Sequence, residues 1–90
     1  MVIPYLSMDR WTLVGTINSS TYRKKVMKSL SENNHTPKSL SEITEVKFSH
    51  ISTILKQLSD LGLIKCLTPT LKKNRIYTIT SKGKYIVKKL

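Results

Sequence analysis

This 90-residue chain has one cysteine, five acidic residues and three glycines, and no apolar run approaching the ~18 residues of a membrane span. Each shortage excludes something. The lone thiol, Cys66, has no partner for an internal disulfide, which fits a reducing compartment. The first residues, MVIPYLSMDRW, lack the basic start and long apolar stretch of a signal peptide, so the expected location is cytoplasmic, with no membrane partner. The few carboxylates are nowhere paired in an apolar stretch, and no Ser/His/Asp set or Gly-rich phosphate loop can be assembled. His35 and His50 are the only histidines, without CxC or HxxxH spacing, so no metal site is expected. The chain therefore reads as a non-enzyme with no cofactor.

What is abundant is positive charge. Sixteen Lys and Arg against five Asp and Glu give a net charge of +11. Such a bias favours a polyanionic partner, nucleic acid first and an anionic membrane surface second. With 39% apolar residues, the chain suffices for one modest core over residues 1–90 and leaves little for a large buried pocket.

The most organised stretch is PKSLSEITEVKFSHISTILKQLSDLG, residues 37–62. Thr36 and Pro37 form a helix start, a capping hydroxyl followed by an imino acid whose missing amide costs nothing there. Leu40 and Ile43 share a face of this first segment, and Val46 follows in a turn. In the second segment, expected over Phe48 to Leu61, Ile51, Ile54, Leu55 and Leu58 repeat at i, i+3, i+4, i+7. Ser49, His50, Ser52, Thr53, Lys56 and Gln57 lie between them and point outward. A helix with an apolar back and a front of short hydrogen-bonding side chains suits a DNA major groove, where base edges are read at close range. Gly62 provides its left-handed stop. Residues 37–61 thus read as a helix-turn-helix.

The flanks agree. Met1 to Ser7 are apolar but interrupted by Pro4, and read as extended. Asp9 is placed to cap a short segment carrying Trp11, Val14 and Ile17; Thr12, Gly15 and Thr16 weaken it as a helix and leave a strand open. Trp11, Leu13, Val14 and Ile17 form an apolar patch that serves either the core or a dimer contact. After the capping stretch Asn18–Ser20, Tyr22, Val26, Met27 and Leu30 mark the buried face of a helix from Thr21 to Ser31, with Arg23, Lys24, Lys25 and Lys28 on its other side. Glu32 to His35 end that helix, with room for a short strand. Leu63 to Thr68 and Arg75 to Thr80 read as paired strands around a basic turn, in which Asn74 tolerates positive φ. Thr80 or Ser81 caps a last helix, with Ile86 and Leu90 inward, Tyr85 and Val87 extending the apolar surface, and Lys82, Lys84, Lys88 and Lys89 keeping the exposed part basic. The fold class expected is mainly α (α+β): a three-helix core, a two- or three-stranded β-hairpin wing over 63–80, and a C-terminal helix.

The stretches YRKKVMKSLSEN, TPKSLSEI, SHISTILKQLSDLGLIKCLTP and LKKNRIYTITSKGKYI resemble the small winged helix-turn-helix transcriptional regulators common in archaea, akin to the ArsR and MarR groups. The resemblance implies that Lys47, Ser49, His50, Ser52, Thr53 and Lys56 face the major groove. It also implies that Lys72, Lys73, Asn74 and Arg75, at the wing tip, reach the DNA backbone or minor groove. Three positions depart from the pattern: Glu45 stands where the turn often has Gly, Thr53 where the recognition helix often has Arg, and Asn74 where the wing has Gly. The expected function is sequence-specific binding of double-stranded DNA by a homodimer that occludes a promoter. Its dimer contact would join residues 1–17, around Trp11 and Val14, to Tyr85 and Leu90 of the last helix. Three alternatives stand beside it: a non-specific DNA- or RNA-binding architectural protein, a winged-helix protein-interaction module, and a ligand-sensing regulator.

Overall fold

The computed structural model describes residues 9–90, so the extended segment expected over Met1 to Ser7 lies outside the described residues. Seven elements follow in order: α1 (Arg10–Asn18), α2 (Thr21–Glu32), α3 (Pro37–Thr44), α4 (Phe48–Asp60), β1 (Ile64–Cys66), β2 (Tyr77–Ile79) and α5 (Ser81–Lys88). This is the winged helix-turn-helix, with α3 and α4 as its two helices and the β1–β2 hairpin as its wing. α2 is the centre of the packing, touching α1, α3, α5 and β2.

Local chemistry sets the helix starts. The side chains of Asp9, Ser20, Thr36 and Thr80 accept from the backbone N–H groups of Thr12, Arg23, Ser39 and Gly83 respectively. Each cap satisfies an amide that has no partner within its helix. Hydrogen bonding to the Thr12 amide also holds the Asp9 carboxyl below its usual pKa. α1 is a helix rather than a strand, despite Gly15 and its threonines, because Leu13 and Ile17 fall one turn apart and are both buried. Tertiary packing overrides weak propensity here.

The core comprises Leu13, Ile17, Val26, Met27, Leu30, Leu40, Val46, Ile51, Ile54, Leu55, Leu58, Leu61, Leu63, Ile64, Ile79 and Ile86. Several expectations are corrected. Ile43 is 57% exposed, whereas Thr44 is 5% exposed. The inward stripe of α3 runs from Leu40 to Thr44, and Thr44 is buried without penalty because its hydroxyl donates to the Leu40 carbonyl at 2.6 Å. Tyr22 is also exposed; its ring meets the edge of His50 instead of the core. Within the N-terminal patch, Leu13 and Ile17 are buried while Trp11 is 79% exposed. Cys66 is half-buried.

The turn of the helix-turn-helix hinges on Glu45, which adopts φ +60°, ψ +26°, the left-handed conformation that glycine most readily takes. The Ser41 hydroxyl donates to the Val46 carbonyl and closes this turn. Gly62, with φ +77°, turns the chain out of α4 as its spacing predicts, and Lys82 Nζ donates to the Leu61 carbonyl at 3.1 Å, placing a cation at the negative end of that helix.

The strands are shorter than their composition suggests. β1 and β2 pair antiparallel, Ile64 opposite Ile79, Lys65 opposite Thr78 and Cys66 opposite Tyr77. Beyond them a single bond from Leu67 N to Ile76 O continues the pairing, and the chain from 68 to 75 is loop. Thr68 organises that loop, taking the Leu71 amide on its carbonyl and the Ile76 amide on its hydroxyl. The third strand is reduced to one bridge: His35 and Tyr77 exchange both backbone hydrogen bonds, at 3.2 and 2.9 Å.

Candidate nucleic-acid interface

The recognition helix α4 buries Ile51, Ile54, Leu55 and Leu58, as its periodicity requires. Its opposite side leaves Ser49, His50, Ser52, Thr53 and Lys56 exposed, with Phe48 exposed in the first turn and Lys47 at the N-cap. The Ser52 and Thr53 hydroxyls each donate over 3.3 Å to the carbonyl one turn earlier, Phe48 and Ser49 respectively. These bonds are long and open to water, so the hydroxyls can turn towards a ligand at little cost. The His50 ring stands nearly perpendicular to that of Tyr22, centroids 5.0 Å apart, so α2 supports it from behind. Gln57, expected outward, is instead engaged: Arg23 Nε donates to its Oε1 at 3.2 Å, while another Arg23 nitrogen reaches the Thr16 carbonyl at 3.4 Å. Arg23 thus ties α1 and α2 to α4 and is not a free surface cation.

The wing loop closes over the start of this helix. Between them lies a groove of about 710 Å³, lined by Pro37, Lys38, Phe48, Ser52, Lys72, Lys73, Asn74, Arg75 and Tyr77. All four residues expected at the wing tip are in this lining, together with Ser52 of the helix front. Asn74 takes φ +56°, filling the glycine-like position. Arg75 Nε donates to the Leu71 carbonyl, which steadies the loop from within. A second, more open depression shares Ser52, Arg75 and Tyr77 and adds Lys56, Lys65 and the carboxylate of Asp60. Ser52 therefore stands between two cation-bordered hollows.

Sequence reasoning missed Phe48, Lys38 and Tyr77 as parts of the groove. Phe48 shares the phase of Ile51 and Leu55, so its spacing marks it for the core. Side chains lean towards the N-terminus of their helix, however, and a first-turn residue overhangs the end of the core.

Trp11, Val14 and Tyr85 also come together, in a small hollow of about 120 Å³ completed by Arg10 and Lys89. Arg10 donates to the Tyr85 hydroxyl at 3.4 Å, and Arg10 and Lys89 lie 5.3 and 5.4 Å from its ring centre. The Arg10 bond is the main cause holding the Tyr85 phenol below its usual pKa, with the charges of Lys89 and Arg10 adding to it. Leu90, grouped with these residues from sequence, packs instead against the core. This hollow shares no residue with the groove. Among the described residues, no helix is long and apolar enough to cross a membrane, and no three His, Cys, Asp or Glu side chains gather to hold a metal ion.

Residues 21–65, from α2 through the helix-turn-helix into β1, match the model of the arsR family of bacterial regulatory proteins. The chain belongs to the arsR family. Its fold and helix-turn-helix are accordingly those of DNA-binding transcription regulators. The crystal structure of a MarR family transcription regulator shares the architecture, with a TM-score of 0.72 and 23% identity over 83% of this chain and 51% of that one. This arsR-family chain thus spans about half the length of that structure. No curated protein matches it.

Proposed function

We propose that this arsR-family chain is a cytoplasmic regulator that binds double-stranded DNA in a sequence-specific manner as a homodimer and occludes promoter DNA. The observation that carries this reading is the shared groove: hydrogen-bonding residues of α4 and the basic wing loop border one space. Phosphate contacts from Lys38, Lys72, Lys73 and Arg75 fix position, while Ser49, His50, Ser52 and Thr53 address base edges, with Lys47 and Lys56 at either end. Asn74 presents the wing tip to the backbone or minor groove. These groups are hydroxyls, an amide, an imidazole and cations, suited to holding a duplex, and the reading includes no catalytic step, metal or cofactor. Trp11, Val14 and Tyr85 supply the dimer contact, with Leu90 supporting it from the core side. Two recognition helices then sit about 34 Å apart, one turn of DNA.

The test is a binding titration at several salt concentrations with the promoter of the protein's own operon, random duplex and matched RNA. If each protomer neutralises about five phosphates, affinity falls with salt at a log–log slope near −9. A preference for the promoter that survives rising salt is expected. Equal, steeply salt-dependent binding to all three overturns the regulator reading and leaves a coating protein, which the net charge of +11 and the threonine at position 53 favour. Failure to bind any nucleic acid at low salt leaves a protein-interaction module.

A further inference from the structure

We propose that Phe48 reads DNA sequence by setting its ring against the C5-methyl group of a thymine in the major groove. This deepens, and rests on, the DNA-binding reading above. Phe48 is the first residue of α4 and is 56% exposed. It lines the same groove as Lys38, Lys72, Lys73 and Arg75, and no acidic residue is in that lining. An apolar surface bordered by four cations and no carboxylate complements a polyanion that carries an apolar group at close range. Duplex DNA has one such group in its major groove, the thymine methyl.

The rest of the helix front narrows the possibilities further. Residues 48–60 contain no arginine and no asparagine, and Lys56, the one cation there that can grip a guanine, stands about two turns beyond the N-terminal end. Their single glutamine, Gln57, already accepts from Arg23. Ser49, Ser52 and Thr53 offer one hydroxyl each, and a hydroxyl accepts and donates alike, so it discriminates weakly between base edges. At the N-terminal end of the helix, apolar contact then stands beside His50 as the sharpest base discrimination on offer, and Phe48 is the only exposed large apolar residue of α4. A T·A pair in each half-site, under the N-terminal end of α4, is the consequence.

The experiment begins by selecting bound sequences from a random duplex library with the full chain. The consensus duplex is then titrated with wild type and Phe48→Ala, and again with each thymine replaced in turn by deoxyuridine, which deletes the methyl and keeps the pairing. At one thymine per half-site, the replacement is expected to weaken wild-type binding about fourfold, the value of one buried methyl-sized group. It is expected to leave Phe48→Ala unaffected. Phe48→Leu, which keeps an apolar surface, should retain part of the response, and it serves as the test variant should the alanine form fail to fold. A clear consensus with the same uracil response in wild type and variants overturns the role of Phe48 alone. A library that yields no consensus overturns sequence-specific binding itself, and Phe48 as a reader with it.

Discussion

Replacing Gly83 by alanine tests how the C-terminal helix is seated. A Cβ built at this position lies 2.2 Å from the Leu63 carbonyl oxygen, 2.6 Å from Ile79 Cγ1 and 3.1 Å from the Leu63 carbonyl carbon. All are well inside the ~3.5 Å at which contacts between heavy atoms become favourable. The nearest obstruction is backbone and has little freedom to yield, because the Leu63 carbonyl also accepts the Thr80 amide at 3.0 Å. α5 must therefore lift, and it carries Ile86 off the core and weakens the Thr80 cap. Overpacking of this kind costs about 1–3 kcal/mol, and the rigid neighbour argues for the upper part of that range. Alanine returns up to about 1 kcal/mol in helix propensity. The net loss is about 2 kcal/mol, which lowers Tm by roughly 10 °C in a domain of this size. Thermal and urea denaturation followed by circular dichroism measure it, with the exposed neighbour Lys84→Ala as a control that stays near wild type. Gly83→Ala melting at or above wild type would refute the close approach and the reasoning built on it.

Other consequences are open to direct measurement. Lys72→Ala combined with Lys73→Ala removes four expected phosphate contacts per dimer and should flatten the salt slope by about 3.6, with equal losses on cognate and random duplex; an unchanged slope would remove the wing from the interface. Thr53→Ala or Ser52→Ala should instead lower the ratio of cognate to random affinity, and equal losses on both would show that the helix front does not read sequence. Trp11→Ser should weaken dimerisation by about 2 kcal/mol or more, as for a buried aromatic anchor, measured by sedimentation equilibrium; a wild-type protein that sediments as a monomer throughout contradicts the assignment. Because the Arg10 hydrogen bond is the main cause of the low Tyr85 pKa, Arg10→Ala should raise the phenol's titration towards its usual 10.0 in an ultraviolet titration. The sign follows from linkage: a lowered native pKa stabilises the fold above the unfolded-state pKa, and that contribution is lost as pH falls through the native value.

The fold was legible wherever one local rule acted alone. Asp9, Ser20, Thr36 and Thr80 cap their helices because a side-chain oxygen at the right offset suffices, and Gly62 and Asn74 take positive φ because few residues do so cheaply. The interior of α4 followed from its period. What escaped was decided by neighbours remote in the chain. Whether Ile43 or Thr44 faces inward depends on how α3 leans on α2 and α4, and an eight-residue helix has too few turns to show its own phase. Arg23 looked like one of four solvated cations until Thr16 and Gln57, far apart in sequence, were found within its reach. Helix α4 and the wing were each legible as elements, but the groove between them was not, since Lys38, Phe48 and Tyr77 converge only in three dimensions.

The His35–Tyr77 bridge makes the protein a caliper. Those two backbone bonds fasten the root of the wing to the segment that leads into the helix-turn-helix. One jaw is the packed helix α4; the other is the loop beyond Leu67 and Ile76, which springs from that fixed root. The opening between the jaws is thereby set at the base. On the DNA-binding reading proposed above, any fit to duplexes of differing groove width falls to residues 68–75, the part of the wing beyond the bridge.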